Sequence, residues 1–243
     1  MAMLKISVFN FKGGTGKSST TLNLGAALAT PLRQVLLVDL DGQRTLSFGL
    51  GMDGEEPTAL NWLTSQKIIA PIPTQIKYLS LIPGDIGMFR ITADSDLFTR
   101  VLSEIKGFHI VLMDCPPGLS PVSVQAILCS DRVLIPTLCE PASLKGLSEA
   151  VELIRGERTD IPIDVVRTRY KPRLVLTKEA DDLLIQASPE LNYRLLHTVI
   201  PDNIAVAESI AQQKPVLEYA PNSNGAKAYK SLGKECIKYW EKK

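Results

Sequence analysis

Short apolar runs rich in β-branched residues punctuate this chain, and helix-like stretches separate them. "LKISVFN" (4–10), "QVLLVDL" (34–40), "QIKYLSLIP" (75–83), "FHIVLMD" (108–114), "DRVLIPT" (131–137), "RLVLT" (173–177) and "LLHTVI" (195–200) read as strands. "GKSSTTLNLGAALA" (16–29), a stretch before residue 131, "SLKGLSEAVELIR" (143–155) and a last segment from Asn224 to Trp240 read as helices. The strands are continuously apolar, as strands are when both faces are buried. The pattern predicts an α/β fold: a doubly wound, mostly parallel sheet with helices on both faces. No repeat or Ser/Gly linker divides the chain, so residues 1–243 are expected to form a single domain. Ligands in such sheets bind at the carboxyl ends of the strands.

Composition narrows the function classes. With 45% apolar residues, the chain can fill a core. Its net charge of +1 is not that of a strongly basic protein, so any nucleic-acid contact must come from a local patch. The four cysteines, Cys115, Cys129, Cys139 and Cys236, have no C-x-x-C spacing and read as reduced thiols of a cytoplasmic protein. No apolar run reaches the roughly 20 residues that span a bilayer. A strand begins within a few residues of Met1, which predicts neither a signal peptide nor a preceding DNA-binding domain.

The first strand runs into "KGGTGKSS" and then a helix, the context of a phosphate-binding loop. The general pattern is G-x-x-x-x-G-K-S/T. Here Phe11 stands where the first glycine belongs, and a second cation, Lys12, precedes Gly13 and Gly14. Gly13, Gly14, Thr15, Gly16, Lys17, Ser18 and Ser19 form the candidate cradle. Glycines let backbone amides approach phosphate oxygens, and the helix N-terminus adds its positive dipole end. Lys17 is the candidate contact to the β- and γ-phosphates, and the Ser18 hydroxyl the candidate Mg²⁺ ligand. A plain Gly-rich turn before a helix is the simpler reading, but it leaves the acidic strand ends unexplained. Asp39, Asp41 and Asp114 each lie at the end of an apolar strand, beside the loop. Asp114 suits a Walker B carboxylate.

These motifs resemble the ParA/MinD family of deviant-Walker ATPases, on the ParA side. "KGGTGKSS", "VLLVDLDGQ", "IVLMDCPPG", "PTLCEPASLKGL" and "TVIPDNIAVAESIAQQKPVLEYAPNSNGAKAY" are similar, in order, to five family motifs across nearly the whole chain. The resemblance implies a P-loop ATPase with a deviant Walker A loop, using ATP and Mg²⁺ with slow intrinsic turnover. It implies that Lys12 reaches across a homodimer interface to the partner's ATP. ATP carries about four negative charges, so it would hold together two faces that otherwise present repelling lysines. By the same likeness Lys12, Lys17 and Asp41 are the catalytic set, with Asp41 orienting the attacking water. Asp39 joins Ser18 and Asp114 in the acidic Mg²⁺ neighbourhood, as a supporting residue near the switch loop. The base-binding positions fall on Thr177-Lys178 and on Pro201, Asp202 and Asn203. The implied activity is partitioning of a plasmid, chromosome or other cargo. It would involve a ParB-like adaptor that stimulates hydrolysis and non-specific DNA, in a cytoplasmic, nucleoid-associated protein.

The chain also departs from the family pattern. Gly42 replaces the usual proline after the second aspartate, which would loosen the switch loop. Asp202 and Ala205 stand where ParA proteins commonly carry DNA-holding arginines. A substitute patch is offered by "VVRTRYKPRL". In an extended chain Arg167, Arg169, Lys171 and Arg173 project from one face; a solvated segment leading into the next strand is the plainer alternative. In the last helix, Tyr229, Leu232, Gly233, Cys236, Ile237 and Trp240 form one stripe, and Lys227, Lys230, Lys234, Lys238, Lys242 and Lys243 lie mostly elsewhere. A MinD-like, membrane-associated positioning ATPase is therefore the second reading. The expectation is that this helix packs on the sheet instead. An iron–sulfur carrier ranks below both, for want of a ligand-like cysteine pair.

Overall fold

The computed structural model describes residues 3–65, 69–91 and 97–241. Among the described residues, eight strands form one sheet: β1 (Leu4–Val8), β2 (Val35–Asp39), β3 (Ile72–Pro73), β4 (Leu79–Ile82), β5 (Ile110–Asp114), β6 (Arg132–Leu138), β7 (Ile163–Tyr170) and β8 (Arg194–Pro201). Their order is β3-β4-β2-β5-β1-β6-β7-β8. Every pairing is parallel except that of β3 with β4. The doubly wound sheet expected from the sequence is present. The chain leaves β1 toward β2 on one side and later crosses to β6 on the other. The carboxyl ends of β1, β2 and β5 therefore meet at the reversal, where open α/β sheets bind ligands.

Strand residues alternate between two cores. Leu36 and Val38 of β2, Val111 and Met113 of β5, and Val133 and Ile135 of β6 face one core. It is closed by α3 (Ala59–Thr64), α4 (Leu97–Glu104), α5 (Pro121–Leu128), α6 (Pro141–Glu157) and α7 (Val175–Glu190). Val35 and Leu37, Ile110 and Leu112, and Leu134 face the other core. That one is closed by α1 (Lys17–Leu28), α2 (Thr45–Gly49), α9 (Val216–Tyr219) and α10 (Asn224–Trp240), with α8 (Ile204–Ala211) at its margin. Burial on both faces is why the strands carry unbroken apolar runs. Within α1, Gly25 lies so close to β2 that a Cβ there would stand 2.6 Å from Leu37 Cδ2.

Two expectations about elements need correction. Residues 173–177 are not a strand. β7 runs from Ile163 to Tyr170, Pro172 ends the ladder because it has no N–H to donate, and α7 starts at Val175. Leu174, Val175 and Leu176 are left exposed, and α7 buries Ala180 and Leu184 instead. The strand expected over 75–83 is confined to Leu79–Ile82. The last helix packs on the sheet as expected. Tyr229, Leu232, Gly233, Cys236 and Trp240 are buried, and Trp240 Nε1 donates to the buried Asp164 carboxylate at 2.8 Å. Lys242 and Lys243 lie outside the described residues. No described helix is long and apolar enough to cross a membrane.

Candidate nucleotide site

The loop between β1 and α1 is shaped by two glycines in the left-handed region, Gly14 (φ 74°) and Gly16 (φ 88°), a conformation that costs side-chain-bearing residues energy. Gly16 caps α1 without a side-chain bond, which leaves the first helical amides facing outward. Asn10 pins the start of the loop: its Nδ2 donates to Pro136 O at 2.7 Å, and its Oδ1 accepts from Lys12 N at 3.0 Å. Thr168, near the end of β7, supports the far side. Its hydroxyl lies 2.7 Å from Thr15 O and 3.1 Å from Thr137 O.

The loop opens on a cavity of about 890 Å³, within the size range of small-molecule sites. Gly13, Gly14, Gly16, Lys17, Ser18 and Ser19 form one wall, Asp41 and Gln43 the switch side, and Thr168, Arg169, Pro201, Asp202 and Asn203 the outer end. Lys17 is buried and donates from Nζ to Lys12 O at 3.1 Å. Burial pulls its pKa down, against the opposing pull of the Asp114 and Asp41 carboxylates. The two lysines of the loop therefore differ in address. Lys12 does not line the cavity. Its ammonium turns outward onto α6, donating to Ala142 O, and its stem crosses Gly146, where a Cβ would stand 2.7 Å from Lys12 Cε.

Asp39 and Asp114 are neighbours across β2 and β5, and both are fully buried. Burial pushes both carboxyl pKa values up. Asp39 adds to the rise at Asp114, which the Ser18 hydroxyl and Lys17 partly offset. The carboxylate oxygens have different occupations. Asp39 Oδ2 accepts from Ser47 N (2.9 Å) and Ser47 Oγ (2.6 Å), and its Oδ1 accepts from Asp41 N (3.2 Å). Asp114 Oδ1 accepts from Thr21 Oγ1 at 3.2 Å, but its Oδ2 is buried with no hydrogen-bond partner among the described residues. An orphaned carboxylate oxygen beside the Ser18 hydroxyl fits a hard divalent cation such as Mg²⁺, which takes oxygen ligands. Asp41 is held from both sides: its Oδ1 accepts from Gln43 N at 2.9 Å, and its carbonyl accepts from Arg44 N at 2.9 Å.

Three expected assignments change. Thr177 is buried in α7 and is not among the residues lining the cavity. The strand that ends at the site is β7, so Thr168 and Arg169 occupy that wall. Arg167, expected on an exposed basic face, is buried. It pairs with Asp181 at 2.7 Å and donates to Leu196 O and His197 O. Arg169 and Lys171 are exposed, but both face Asp202, at 3.6 and 3.4 Å, and Arg169 takes a left-handed φ of 49° that breaks the strand alternation. Arg173 stays exposed in the turn before α7. Asn10 and Thr21, within or next to the loop motif, also belong to the site, as does Thr168, which no motif marks and which β7 brings there.

Fold and cradle together define a P-loop nucleotide-binding protein, with the second loop lysine that marks the deviant form. A family model described as an AAA domain matches residues 3–163. An uncharacterized protein of Mycobacterium tuberculosis is 33% identical, over 96% of this chain and 78% of that protein. The sporulation initiation inhibitor protein Soj of Bacillus subtilis is 31% identical, over 95% of this chain and 96% of its own. The septum site-determining protein MinD of Pyrococcus horikoshii, solved with Mg-ADP, superposes with a TM-score of 0.83 at 28% identity, covering 99% of this chain and 98% of that one. The chain belongs to the ParA/MinD family of ATPases.

Proposed function

We propose that this protein is a partitioning ATPase that binds ATP with Mg²⁺, pairs face to face with a second copy, and holds DNA without sequence preference while the nucleotide is intact. A ParB-like adaptor carrying cargo would stimulate hydrolysis and release it. The observation that carries this reading is the division of labour between the two lysines. Lys17 is inside the cradle, where it serves the protomer's own nucleotide. Lys12 is outside that cavity, its amine held on α6 by Ala142 O, and in this reading it exchanges that single carbonyl for the phosphates of a facing copy when the dimer forms. Likeness to Soj supports the partitioning role.

The chain's own residues divide the work. Gly13 to Ser19 bind the phosphates through backbone amides and the α1 N-terminus. Thr168, Arg169, Pro201, Asp202 and Asn203 enclose the base and ribose end. Asp41 orients the attacking water by accepting a hydrogen bond from its O–H. Asp39, with its oxygens committed to Ser47 and Asp41, fixes the switch loop, so we assign it a supporting role and leave Ser18 and Asp114 as the Mg²⁺ ligands. Bound Mg²⁺ would neutralise charge developing between the β- and γ-phosphates. Against the membrane-associated alternative stands the burial of the α10 apolar stripe. Light scattering with ATP tests the reading. Wild-type protein should dimerise and Lys12→Ala should not, though it should still bind nucleotide. A Lys12→Ala dimer as stable as wild type would refute the role across the interface.

A further inference from the structure

Gly42 follows Asp41 in the switch loop, at the position where the family pattern carries proline. Its backbone is not in the left-handed region, so conformation does not demand glycine there. Space does: a Cβ at residue 42 would stand 2.6, 2.7 and 2.9 Å from Cε2, Cδ2 and Cζ of Phe89. The ring of Phe89 lies directly on the Gly42 backbone, yet the side chain is 58% exposed. A large apolar group held in solvent against one glycine is not there to fill a core.

Phe89 belongs to a 3₁₀ turn, Ile86–Arg90, whose backbone is firmly held. Met88 is buried in the core. Asp85 caps the turn through Gly87 N at 2.7 Å and accepts from Thr58 Oγ1 at 3.0 Å. Gly84 N donates to Ser47 Oγ at 2.8 Å, and the same hydroxyl donates to Asp39. The base of the ring is therefore anchored to both the core and the switch region, and its tip rests on the loop. Asp41 is fixed on its own side chain and carbonyl; the residue between it and Gln43 is steadied by Phe89.

We propose that Phe89 is a positioning residue for hydrolysis: its ring clamps the switch loop at Gly42, replaces the stiffness that proline would give, and so holds Asp41 in its water-orienting place. This rests on the assignment of Asp41 proposed above. Phe89→Ala should lower ATP turnover roughly 3- to 10-fold, less than the roughly 100-fold of a full 1 Å misplacement because Asp41 keeps its bonds to Gln43 and Arg44, with nucleotide affinity within about twofold of wild type. Hydrogen exchange at the amides of Gln43 and Arg44 should quicken. Adding Gly42→Pro to Phe89→Ala should restore turnover to within about twofold, because proline fixes φ without the ring.

Asp41→Ala is measured alongside. If Asp41→Ala is inactive and Phe89→Ala turns over normally, the clamp is overturned. It is also overturned if affinity falls as much as turnover, since general packing would do that. If Asp41→Ala hydrolyses ATP at the wild-type rate, the reading of Asp41 fails, and the exchange measurement decides the clamp alone: unchanged protection at Gln43 and Arg44 overturns it.

Discussion

Asp164 offers a direct test of whether α10 is part of the core. Its carboxylate is fully buried at the start of β7. Arg132 pairs with Oδ2 at 3.0 Å and is 12% exposed; Arg194 pairs with Oδ1 at 3.3 Å and is 42% exposed. Trp240, from the last turn of α10, donates to Oδ2 at 2.8 Å. Asp164→Ala removes all three at once. The Arg194 contribution is small because solvent screens it, at about 0–1 kcal/mol. Stranding the nearly buried Arg132 is the large term, and breaking a buried pair from one side costs about 3–5 kcal/mol. Trp240→Phe keeps both arginines paired and loses one hydrogen bond to a charged group, about 1.5–3 kcal/mol. Urea denaturation should therefore rank wild type above Trp240→Phe, and Trp240→Phe above Asp164→Ala. If Asp164→Ala lies within about 1 kcal/mol of wild type, the cost assigned to stranding Arg132 is wrong; if Trp240→Phe is as stable as wild type, the α10 contact to Asp164 contributes nothing and the claim that it fixes α10 to the core fails.

Gly25→Ala places a methyl 2.6 Å from Leu37 Cδ2, and Leu37 is fully buried. The overpacking should destabilise by about 1–3 kcal/mol, more than the 0.5–1 kcal/mol that alanine gains in a helix; a melting temperature at or above wild type would contradict this. Lys171, exposed and outside the nucleotide cavity, is the cation to test: Lys171→Ala should weaken ATP-dependent binding of random-sequence DNA at low salt. Losing one phosphate contact should flatten the dependence of log affinity on log salt by about 0.9, and an unchanged slope would show that Lys171 faces no DNA.

The candidate phosphate loop was legible because it is local. Lys12 to Ser19 are one continuous stretch, the loop after a strand and the first turn of the helix it opens, so spacing alone marks them. Asp39 and Asp114 were legible because strand ends converge in a parallel sheet. What was not legible depends on three-dimensional neighbours. "RLVLT" has the composition of a buried strand, yet β7 already occupies the place between β6 and β8, and Pro172 blocks continuation, so the segment turns into an exposed helix start. That shift moved the site wall from Thr177 to Thr168. Arg167 looked like surface charge, but its partner Asp181 comes from the next helix. Gly42 looked like a loosened loop until Phe89, 47 residues further on, was found lying upon it.

The central claim is an ATP-held dimer that grips DNA without sequence preference. Its most direct test uses Asp41→Ala, which should trap the ATP-bound state, in binding to random-sequence duplex DNA with ATP and with ADP at two salt concentrations. Binding in ATP should fall steeply with salt and be weak in ADP. A confirmed ATP dimer that ignores DNA at both salt concentrations would contradict it.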